Sequence, residues 1–204
     1  MPGNLVLTRH TESEFNARNL FTGWADPPLT AQGVAEATEL GERFKRAGIH
    51  LHAAYSSALG RARQCTEAIL DRLEDRPGYM ANAALNERDY GELTGLDKTQ
   101  AAARWGERQI RRWRRSYAEA PPKGESLRDT AARVLPFYLT HILPSVMDDR
   151  TTLVVAHGNS LRGLVMALEQ ITPQAIADLE IATGEVRIYG FKPNTTISAC
   201  ERLR

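Results

Sequence analysis

The sequence predicts an α/β fold with three layers: a mostly parallel central sheet with helices on both faces. Short apolar runs alternate with longer segments of helical periodicity, and two of these runs end abruptly in polar residues. The section at about 82–124 departs from this rhythm and is rich in Gly, Arg, Trp and Pro, which predicts a cap-like insertion over the sheet. With 204 residues and no linker-like stretch, residues 1–204 are expected to form one domain.

Four short apolar runs are predicted as strands because each is bounded by polar or turn residues. They are Leu5–Thr8, Ala53–Ser56, Thr151–Ala156 and Glu185–Phe191. Helices are predicted after Thr30, from near Ser57, from Leu127 to about Val146, and from Thr172 through Leu179. Thr30 is a typical N-cap, Gly48 a typical residue just beyond a helix end, and Pro136 is expected to bend the third helix.

Composition excludes several classes of function. Twenty-six basic against 25 acidic residues give a net charge of +1, which does not favour nucleic acid as a partner. The longest apolar runs are far shorter than the roughly 20 residues of a spanning helix, and no secretory signal is visible, so we expect a cytoplasmic protein without membrane association. Cys65 and Cys200 lack metal-ligand spacing, so no metal is expected.

Two histidines stand directly after predicted strands, His10 after the first and His157 after the third. Ligands of open α/β sheets bind at the carboxyl ends of strands, so both imidazoles are expected in one site. Arg9 precedes the first histidine, and Arg61 lies in the first turn of a predicted helix, where an anion is favoured. A neutral imidazole can attack phosphorus while arginines hold phosphate oxygens, so phosphate chemistry is the leading interpretation.

A proton donor for such chemistry is expected in the stretch from Leu85 to Gly95. It offers Glu87, Asp89 and Glu92, and spacing alone does not choose among them.

The segment Arg104–Arg115 contains six arginines against one glutamate. Helical spacing predicts one face formed by Arg104, Arg108, Arg111 and Arg115. Most of this face is interpreted as solvated surface, with an anion-binding role for one or two of its arginines.

Several motifs together resemble a known family. Arg9-His-Thr-Glu-Ser, Phe21-Thr-Gly-Trp24 and Ser56-Ser-Ala-Leu-Gly-Arg61 are similar to motifs of the histidine phosphatase superfamily. Within it, the stretch from Leu85 to Lys98, Arg114-Arg-Ser-Tyr117 and His157-Gly-Asn-Ser-Leu-Arg162 resemble the 2,3-bisphosphoglycerate-dependent phosphoglycerate mutases. The resemblance covers the chain from Leu5 to about Phe191.

The resemblance implies roles for individual residues. His10 would carry the phosphoryl group, and Glu87 would be the proton donor. The residues implied to hold the phosphoryl group are Arg9, Asn16, Arg61, His157, Gly158 and Asn159. Those implied to receive the substrate carboxylate are Thr22, Gly23, Arg114 and Arg115, and those implied as further substrate contacts are Arg88, Tyr90 and Lys98.

The activity implied by the resemblance is interconversion of 3-phosphoglycerate and 2-phosphoglycerate, a step of glycolysis and gluconeogenesis. It would pass through phosphorylated His10, with 2,3-bisphosphoglycerate as primer, a small phosphorylated acid as substrate and no metal. The sequence does not determine the oligomeric state, and a homodimer or a homotetramer is possible. Two alternatives remain: a phosphatase of the same fold that acts on a small phosphorylated acid, and a catalytically silent binding or regulatory protein.

Besides Phe15, which stands where the family usually has tryptophan, three departures from the family pattern stand out. Thr11 replaces a glycine after the first histidine, so it is expected to crowd the loop that carries this histidine. The junction from Pro122 to Glu125 is much shorter than in long family members. The tail after Phe191 is short and matches poorly.

Overall fold

The computed structural model describes residues 2–203, and its centre is a six-stranded sheet of order β3-β2-β4-β1-β5-β6. The strands are β1 (Asn4–Arg9), β2 (Ala53–Ser57), β3 (Tyr79–Asn82), β4 (Thr152–Ala156), β5 (Val186–Phe191) and β6 (Ile197–Leu203). The pairs β3–β2, β2–β4 and β4–β1 are parallel, whereas β5 is antiparallel to both of its neighbours, β1 and β6. The predicted mostly parallel sheet is confirmed.

Helices connect the strands. The α-helices are α1 (Glu14–Ala17), α2 (Ala31–Arg46), α3 (Gly60–Leu70), α4 (Lys98–Trp105), α5 (Glu107–Arg115), α6 (Leu127–Phe137), α7 (Leu143–Met147) and α8 (Gly158–Leu168). A π segment covers Tyr138–Ile142, and short 3₁₀ turns cover Ala83–Leu85, Gly91–Leu93 and Ala175–Asp178. No helix within residues 2–203 has the length and apolarity needed to cross a membrane.

The three layers follow from alternation along the central strands, since successive side chains of a strand point to opposite faces. Leu5 and Leu7 of β1 join a core formed with α6 and α8. Val6, between them, joins a second core formed with α2 and α3. Helices therefore cover both faces of the sheet, as the sequence predicts.

The first predicted helix is confirmed at both ends. The Thr30 side chain accepts a hydrogen bond of 2.9 Å from the amide of Gly33, and Gly48 adopts a φ of 65° just beyond the helix. The predicted start of the second helix near Ser57 is wrong, because Ser57 still belongs to β2 and α3 begins at Gly60. Arg61 nevertheless lies in the first turn of α3, as expected.

The two later helices differ in type from the prediction. The helix that begins at Leu127 changes from α to π geometry at Tyr138, two residues after Pro136, whose missing N–H removes one helical hydrogen bond. The predicted helix from Thr172 is only a 3₁₀ turn over Ala175–Asp178, although the Thr172 carbonyl does accept from the amide of Ile176 at 3.0 Å.

The insertion forms a cap with a small core of its own. Leu93, Ala101 and Ile110 of the insertion are buried together with Phe21, which comes from the loop after α1. Gly106, with a φ of 83°, separates α4 from α5 and breaks the helical periodicity. The predicted single arginine face is therefore wrong. Of its members, Arg104 lies on α4 with its guanidinium 4.3 Å from the centroid of the Trp105 ring, whereas Arg108, Arg111 and Arg115 lie on α5.

The tail after Phe191 extends the sheet. Residues Ile197–Leu203 form β6, an antiparallel edge strand on β5. Most of its residues are exposed, so the apolar periodicity that predicts buried strands is weak there.

Candidate active site

The two histidines of the strand ends meet at the carboxyl edge of the sheet. Strands β1 and β4 are parallel neighbours with Arg9 opposite Ala156, so the next residues of both strands lie side by side. The ring centroids of His10 and His157 are 4.9 Å apart, with an interplanar angle of 66°. The expectation that both imidazoles share one site is thus met by the geometry.

The His10 imidazole is held in one tautomer. Its Nδ1 lies 2.7 Å from the carbonyl oxygen of Thr11, and because a carbonyl only accepts, Nδ1 carries the proton. Nε2 therefore keeps its lone pair. Burial, and then the positive charges of Arg61 and Arg9, hold the pKa of His10 well below its usual value, so the ring is neutral at physiological pH.

The His157 imidazole is completely buried and hydrogen-bonded on one side. Its Nε2 lies 2.8 Å from Ser57 Oγ, and this hydroxyl donates to Asn86 Oδ1 at 2.9 Å, so Nε2–H is the donor to serine. Nδ1 is buried without a hydrogen-bond partner. Burial and the charge of Arg61 hold the pKa of His157 well below its usual value.

Arg61 is a buried guanidinium fixed by backbone oxygens. It donates to the carbonyls of Ala25 at 2.8 Å and Gly23 at 3.0 Å, and its Nε has no partner. Gly23 adopts a φ of 50°, and a Cβ there would stand 3.0 Å from the amide nitrogen of Tyr90, so the close turn requires glycine. Burial lowers the pKa of Arg61 to about 10, which still leaves it charged.

Among the three candidate proton donors, only Glu87 lines the pocket described below. Its Oε1 accepts from the amides of Arg88 at 2.8 Å and Asn159 at 3.0 Å. Asp89 accepts from a nearby backbone amide in its own turn, and Glu92 pairs with a lysine at 2.9 Å. The geometry therefore favours the carboxyl that the resemblance implies.

A pocket of about 110 Å³ opens beside these residues, a size suited to one small molecule. The predicted site residues that line it are Arg9, Asn16, Thr22, Glu87, Tyr90, Lys98, Arg114, Arg115, Gly158 and Asn159. His10, Arg61 and His157 do not line it; they are buried beside it, with His10 next to Arg9 and His157 next to Gly158 in the chain, and they form the base of the pocket. Gly23 serves the site through its carbonyl.

The mouth of the pocket is strongly cationic. Lys98 of α4 and Arg114 and Arg115 of α5 converge there, and burial, followed by the charge of Arg114, lowers the pKa of Lys98. Arg115 is tied to Glu180 at 3.3 Å across the opening. These side chains present positive charge to a ligand that enters from solvent.

Arg88 is fully buried behind Tyr90 and does not line the pocket. Its guanidinium donates to the Tyr90 hydroxyl at 3.0 Å. Burial alone would raise the pKa of Tyr90, but the charge of Arg88 and the hydrogen bonds from Arg88 and Asn159 together outweigh it, so the pKa is lowered. Arg88 therefore contacts the pocket through Tyr90, and its role as a direct substrate contact stays a prediction.

Asn16 lines the pocket while it caps α1. Its Oδ1 accepts from the Ser13 amide at 3.2 Å and from the Ser13 hydroxyl at 2.9 Å. The Nδ2 amino group remains the part of the side chain able to donate to a ligand.

Thr11 does not crowd His10. Its hydroxyl donates to the Gly33 carbonyl at 2.7 Å, and its Oγ1 lies 3.9 Å from Cys65 Sγ. The side chain thus fills the interface with α2 and α3, away from the imidazole.

Sequence reasoning missed Arg162, which lines the pocket together with Leu20, Phe21, Glu180 and Ile181. The signal was present in spacing, because Arg162 follows Asn159 by three residues on α8 and shares its face. Their side chains are hydrogen-bonded at 2.8 Å.

Among the buried polar atoms around the pocket, three N–H donors have no partner, the Nε atoms of Arg9, Arg61 and Arg162. Buried polar groups in proteins are nearly always satisfied, so such atoms indicate a ligand rich in acceptor oxygens. Within residues 2–203, no three His, Cys, Asp or Glu side chains are grouped so that they could hold a metal ion.

A neutral, buried imidazole among guanidinium groups at the carboxyl edge of a parallel sheet defines a phosphoryl-handling α/β enzyme. The chain belongs to the histidine phosphatase superfamily (branch 1), whose model matches residues 5–200.

Relatives and solved structures agree with this membership. The chain is 53% identical to a protein of Bradyrhizobium sp. (strain ORS 278), over 96% of this chain and 95% of that protein. It is also 53% identical to a protein of Brucella melitensis biotype 2, over 100% of this chain and 99% of that one. Both are named 2,3-bisphosphoglycerate-dependent phosphoglycerate mutase. The solved structure of Mycobacterial hydrolase 1 has the same fold, with a TM-score of 0.85, 23% identity and coverage of 100% of this chain and 98% of that chain.

Proposed function

We propose that this enzyme interconverts 3-phosphoglycerate and 2-phosphoglycerate through phosphorylated His10, primed by 2,3-bisphosphoglycerate. One observation carries the proposal: a neutral imidazole with a free Nε2 lies beside a pocket whose mouth bears Lys98, Arg114 and Arg115. The first feature suits phosphoryl transfer, and the second suits an acid that bears phosphate. Relatives at 53% identity that are named phosphoglycerate mutases support the same activity.

In the first step, His10 Nε2 attacks a phosphorus atom of 2,3-bisphosphoglycerate. The N–P bond forms as the P–O bond breaks, and Glu87 supplies a proton to the leaving oxygen, which becomes a hydroxyl of the monophosphate. Arg9 and Arg61 balance the charge of the transferring group. The amide groups of Asn16 and of the start of α8 add hydrogen-bond donors.

In the second step, the monophosphate acts as acceptor. Its free hydroxyl loses a proton to the Glu87 carboxylate and attacks the phosphorus held on His10, which regenerates 2,3-bisphosphoglycerate and the neutral imidazole. Transfer of the other phosphate to His10 then completes the isomerisation. Because Glu87 takes and returns one proton and His10 ends the cycle phosphorylated again, turnover consumes no primer, which is needed only to charge His10 at the start.

His157 changes its role with the charge in the pocket. An incoming phosphoryl oxygen is an anion, so it raises the pKa of a nearby imidazole. Nδ1 of His157, buried and unpaired in this structure, then gains a proton and becomes a donor to the phosphoryl group. His157 is therefore assigned to stabilising the phosphoryl group during transfer, a role distinct from that of the nucleophile.

The substrate carboxylate is assigned to Arg114 and Arg115, with Thr22 and the turn at Gly23 on the opposite wall. Lys98 and the Tyr90 hydroxyl are assigned to the second phosphate. The residues present fit the primer, since three cationic side chains at the mouth and two guanidinium groups at the base match an anion with two phosphates and one carboxylate.

The substrate and primer are intermediates of glycolysis and gluconeogenesis, so we infer a cytoplasmic location for this enzyme. A net charge of +1 supports a small-molecule partner over nucleic acid. Assembly into a homodimer or homotetramer stays a prediction.

The test is an assay of 3-phosphoglycerate conversion with and without 2,3-bisphosphoglycerate, with phosphate release measured in parallel. We expect 2-phosphoglycerate to form quickly only with the primer, and phosphate to appear slowly. Dominant phosphate release without primer dependence would instead establish a phosphatase of the same fold. Absence of phosphate on His10 after incubation with the primer, measured by mass spectrometry, would establish a catalytically silent protein.

A further inference from the structure

We propose that Arg162 is a positioning residue that clamps the cap onto the sheet, so that phosphorylated His10 reacts with a phosphorylated acid in preference to water. This inference rests on the proposed function. It concerns a side chain that no motif assigns to catalysis and that reaches three separate parts of the pocket wall.

Arg162 donates four hydrogen bonds to oxygens of neutral groups. One terminal nitrogen contacts the Asn159 side chain at 2.8 Å and the Arg114 carbonyl at 3.3 Å. The other contacts the carbonyls of Arg115 at 3.0 Å and Ile176 at 2.7 Å. One guanidinium thus joins α8, which packs on the sheet, to the end of α5 in the cap and to the 3₁₀ turn over Ala175–Asp178.

The contact with α5 falls at its last two residues. Carbonyls in the last turn of a helix have no intrahelical partner, and a cation there is favoured by the helix dipole. Arg114 and Arg115 are also the residues whose side chains line the mouth of the pocket. By holding their backbone, Arg162 fixes where these two guanidinium groups stand relative to His10.

The contact with Ile176 extends the clamp to the far wall. Glu180 and Ile181 follow this turn and line the pocket, and Arg9 donates to the Ile181 carbonyl at 2.8 Å.

Other contacts also hold this end of α5: Arg88 donates to the Arg114 carbonyl at 3.1 Å, and Arg115 reaches across the opening to the Leu179 carbonyl at 3.4 Å and to Glu180 at 3.3 Å. The ion pair with Glu180 joins a partly exposed side chain to an exposed one, and such pairs contribute little to stability. The buried hydrogen bonds of Arg162 are therefore the stronger tie.

Burial of the charged Arg162 side chain disfavours folding, so its presence here indicates a role other than stability. Arg162 is 4% exposed, its Nε has no partner, and burial lowers its pKa to about 10. Burial of a charge that contacts only neutral oxygens is unfavourable relative to an apolar side chain. The four acceptor oxygens belong to three segments, and only a planar guanidinium can donate to all of them at once. We therefore assign Arg162 the role of holding the cap closed over the sheet.

The experiment compares Arg162→Lys and Arg162→Met with a matched control, Arg112→Met. Arg112 lies exposed on α5, where it pairs with Glu119 at 2.7 Å. For Arg162→Lys we expect His10 to accept phosphate from 2,3-bisphosphoglycerate within about twofold of the wild-type extent. The KM for 3-phosphoglycerate should rise about tenfold, and the ratio of phosphate release to mutase turnover should rise by a similar factor, because lysine cannot keep four hydrogen bonds.

Hydrogen exchange of the α5 amides provides a readout of the clamp itself. We expect faster exchange at the end of α5 in both Arg162 variants and no change at β1 or β4. The control Arg112→Met should match the wild type in KM and in the ratio of phosphate release to mutase turnover. Its hydrogen exchange should also match that of the wild type, except in the helical turn that contains residue 112. Where Arg162→Met fails to fold, Arg162→Lys decides, because it keeps the charge and most of the stem.

Two results would overturn the inference. The first is Arg162→Lys with a KM, partition ratio and exchange equal to those of the control. The second is an equal loss of His10 phosphorylation and turnover together with a lower Tm, which would show a role in folding only. Should the wild type prove to be a phosphatase, the proposed function fails, while α5 exchange and the KM for hydrolysis still test the clamp.

Discussion

The base and the mouth of the pocket are built in different ways. His10, Arg61 and His157 at the base are between 0% and 3% exposed, and backbone or side-chain oxygens hold each of them. Lys98 and Arg115 at the mouth are half-buried and stand on two short helices, whose own core is small.

This difference in construction assigns phosphoryl transfer to the base of the pocket and the choice of acceptor molecule to its mouth. Phosphoryl transfer needs donors and a nucleophile that are fixed before the substrate arrives, and rigid strand ends supply them. Selection of a phosphorylated acid over water depends on exclusion of water from the pocket, which the cap provides where Arg162 holds it against the sheet. We therefore expect changes at the base to alter the transfer step and changes at the mouth to alter substrate binding.

The largest effect should come from His10→Ala. No other side chain at the base is placed as the nucleophile, so phosphoenzyme formation should be abolished and turnover should fall by roughly 10⁵-fold or more. Calorimetric titration should still detect 3-phosphoglycerate binding through the intact mouth. Residual phosphoenzyme in this variant, detected by mass spectrometry, would contradict the division between base and mouth.

Arg115→Ala should act at the mouth. Loss of one charge-assisted contact to the substrate carboxylate predicts a KM for 3-phosphoglycerate about tenfold to a hundredfold higher, with phosphorylation of His10 retained. The backbone carbonyl that Arg162 contacts remains in the variant. Steady-state kinetics with Arg112→Ala as control provide the measurement, and an unchanged KM would refute the carboxylate assignment.

Acidification should lower the free energy of unfolding through the two buried histidines at the base of the pocket. His10 and His157 both have lowered pKa values when folded, so the unfolded chain binds protons that the native state does not. Stability is therefore present above the unfolded pKa near 6.5 and is lost as pH falls below it, by about 1.4 kcal/mol per pH unit for each ring.

Urea unfolding between pH 7.5 and 5.5 measures this loss. We expect His157→Gln to halve the slope of stability against pH, because one of the two buried rings no longer titrates. His50→Gln, at an exposed position, should leave the slope unchanged. An equal slope in wild type and His157→Gln would show that the buried imidazole takes no part.

The base was more predictable from sequence than the mouth. Strands that bury both faces leave a continuous apolar pattern, so the ends of β1 and β4, and with them His10 and His157, could be located. Strands β3 and β6 are short or exposed, and their side chains carry little apolar signal. Choice of Glu87 over two neighbouring carboxyls required the resemblance or the fold.

The cap was less predictable because its geometry depends on single residues and long-range contacts. Gly106 breaks a segment whose arginine spacing reads as one helix, at a positive φ that spacing does not reveal. The partners of Arg162 are mostly backbone carbonyls distant in sequence, and side-chain patterns carry no information about such partners.

The smallest effect should come from Thr11→Val, which tests how firmly the base is held. Valine keeps the shape of the side chain but removes the hydrogen bond to the Gly33 carbonyl, so unfolding should become easier by about 1 kcal/mol. The backbone carbonyl that fixes His10 remains, and several other contacts define the loop, so kcat should stay within about threefold of the wild type. Thr11→Ser, which keeps the hydroxyl, is the control. A base held as firmly as its burial implies tolerates this loss, whereas a large fall in His10 phosphorylation would place Thr11 among the residues that orient the nucleophile.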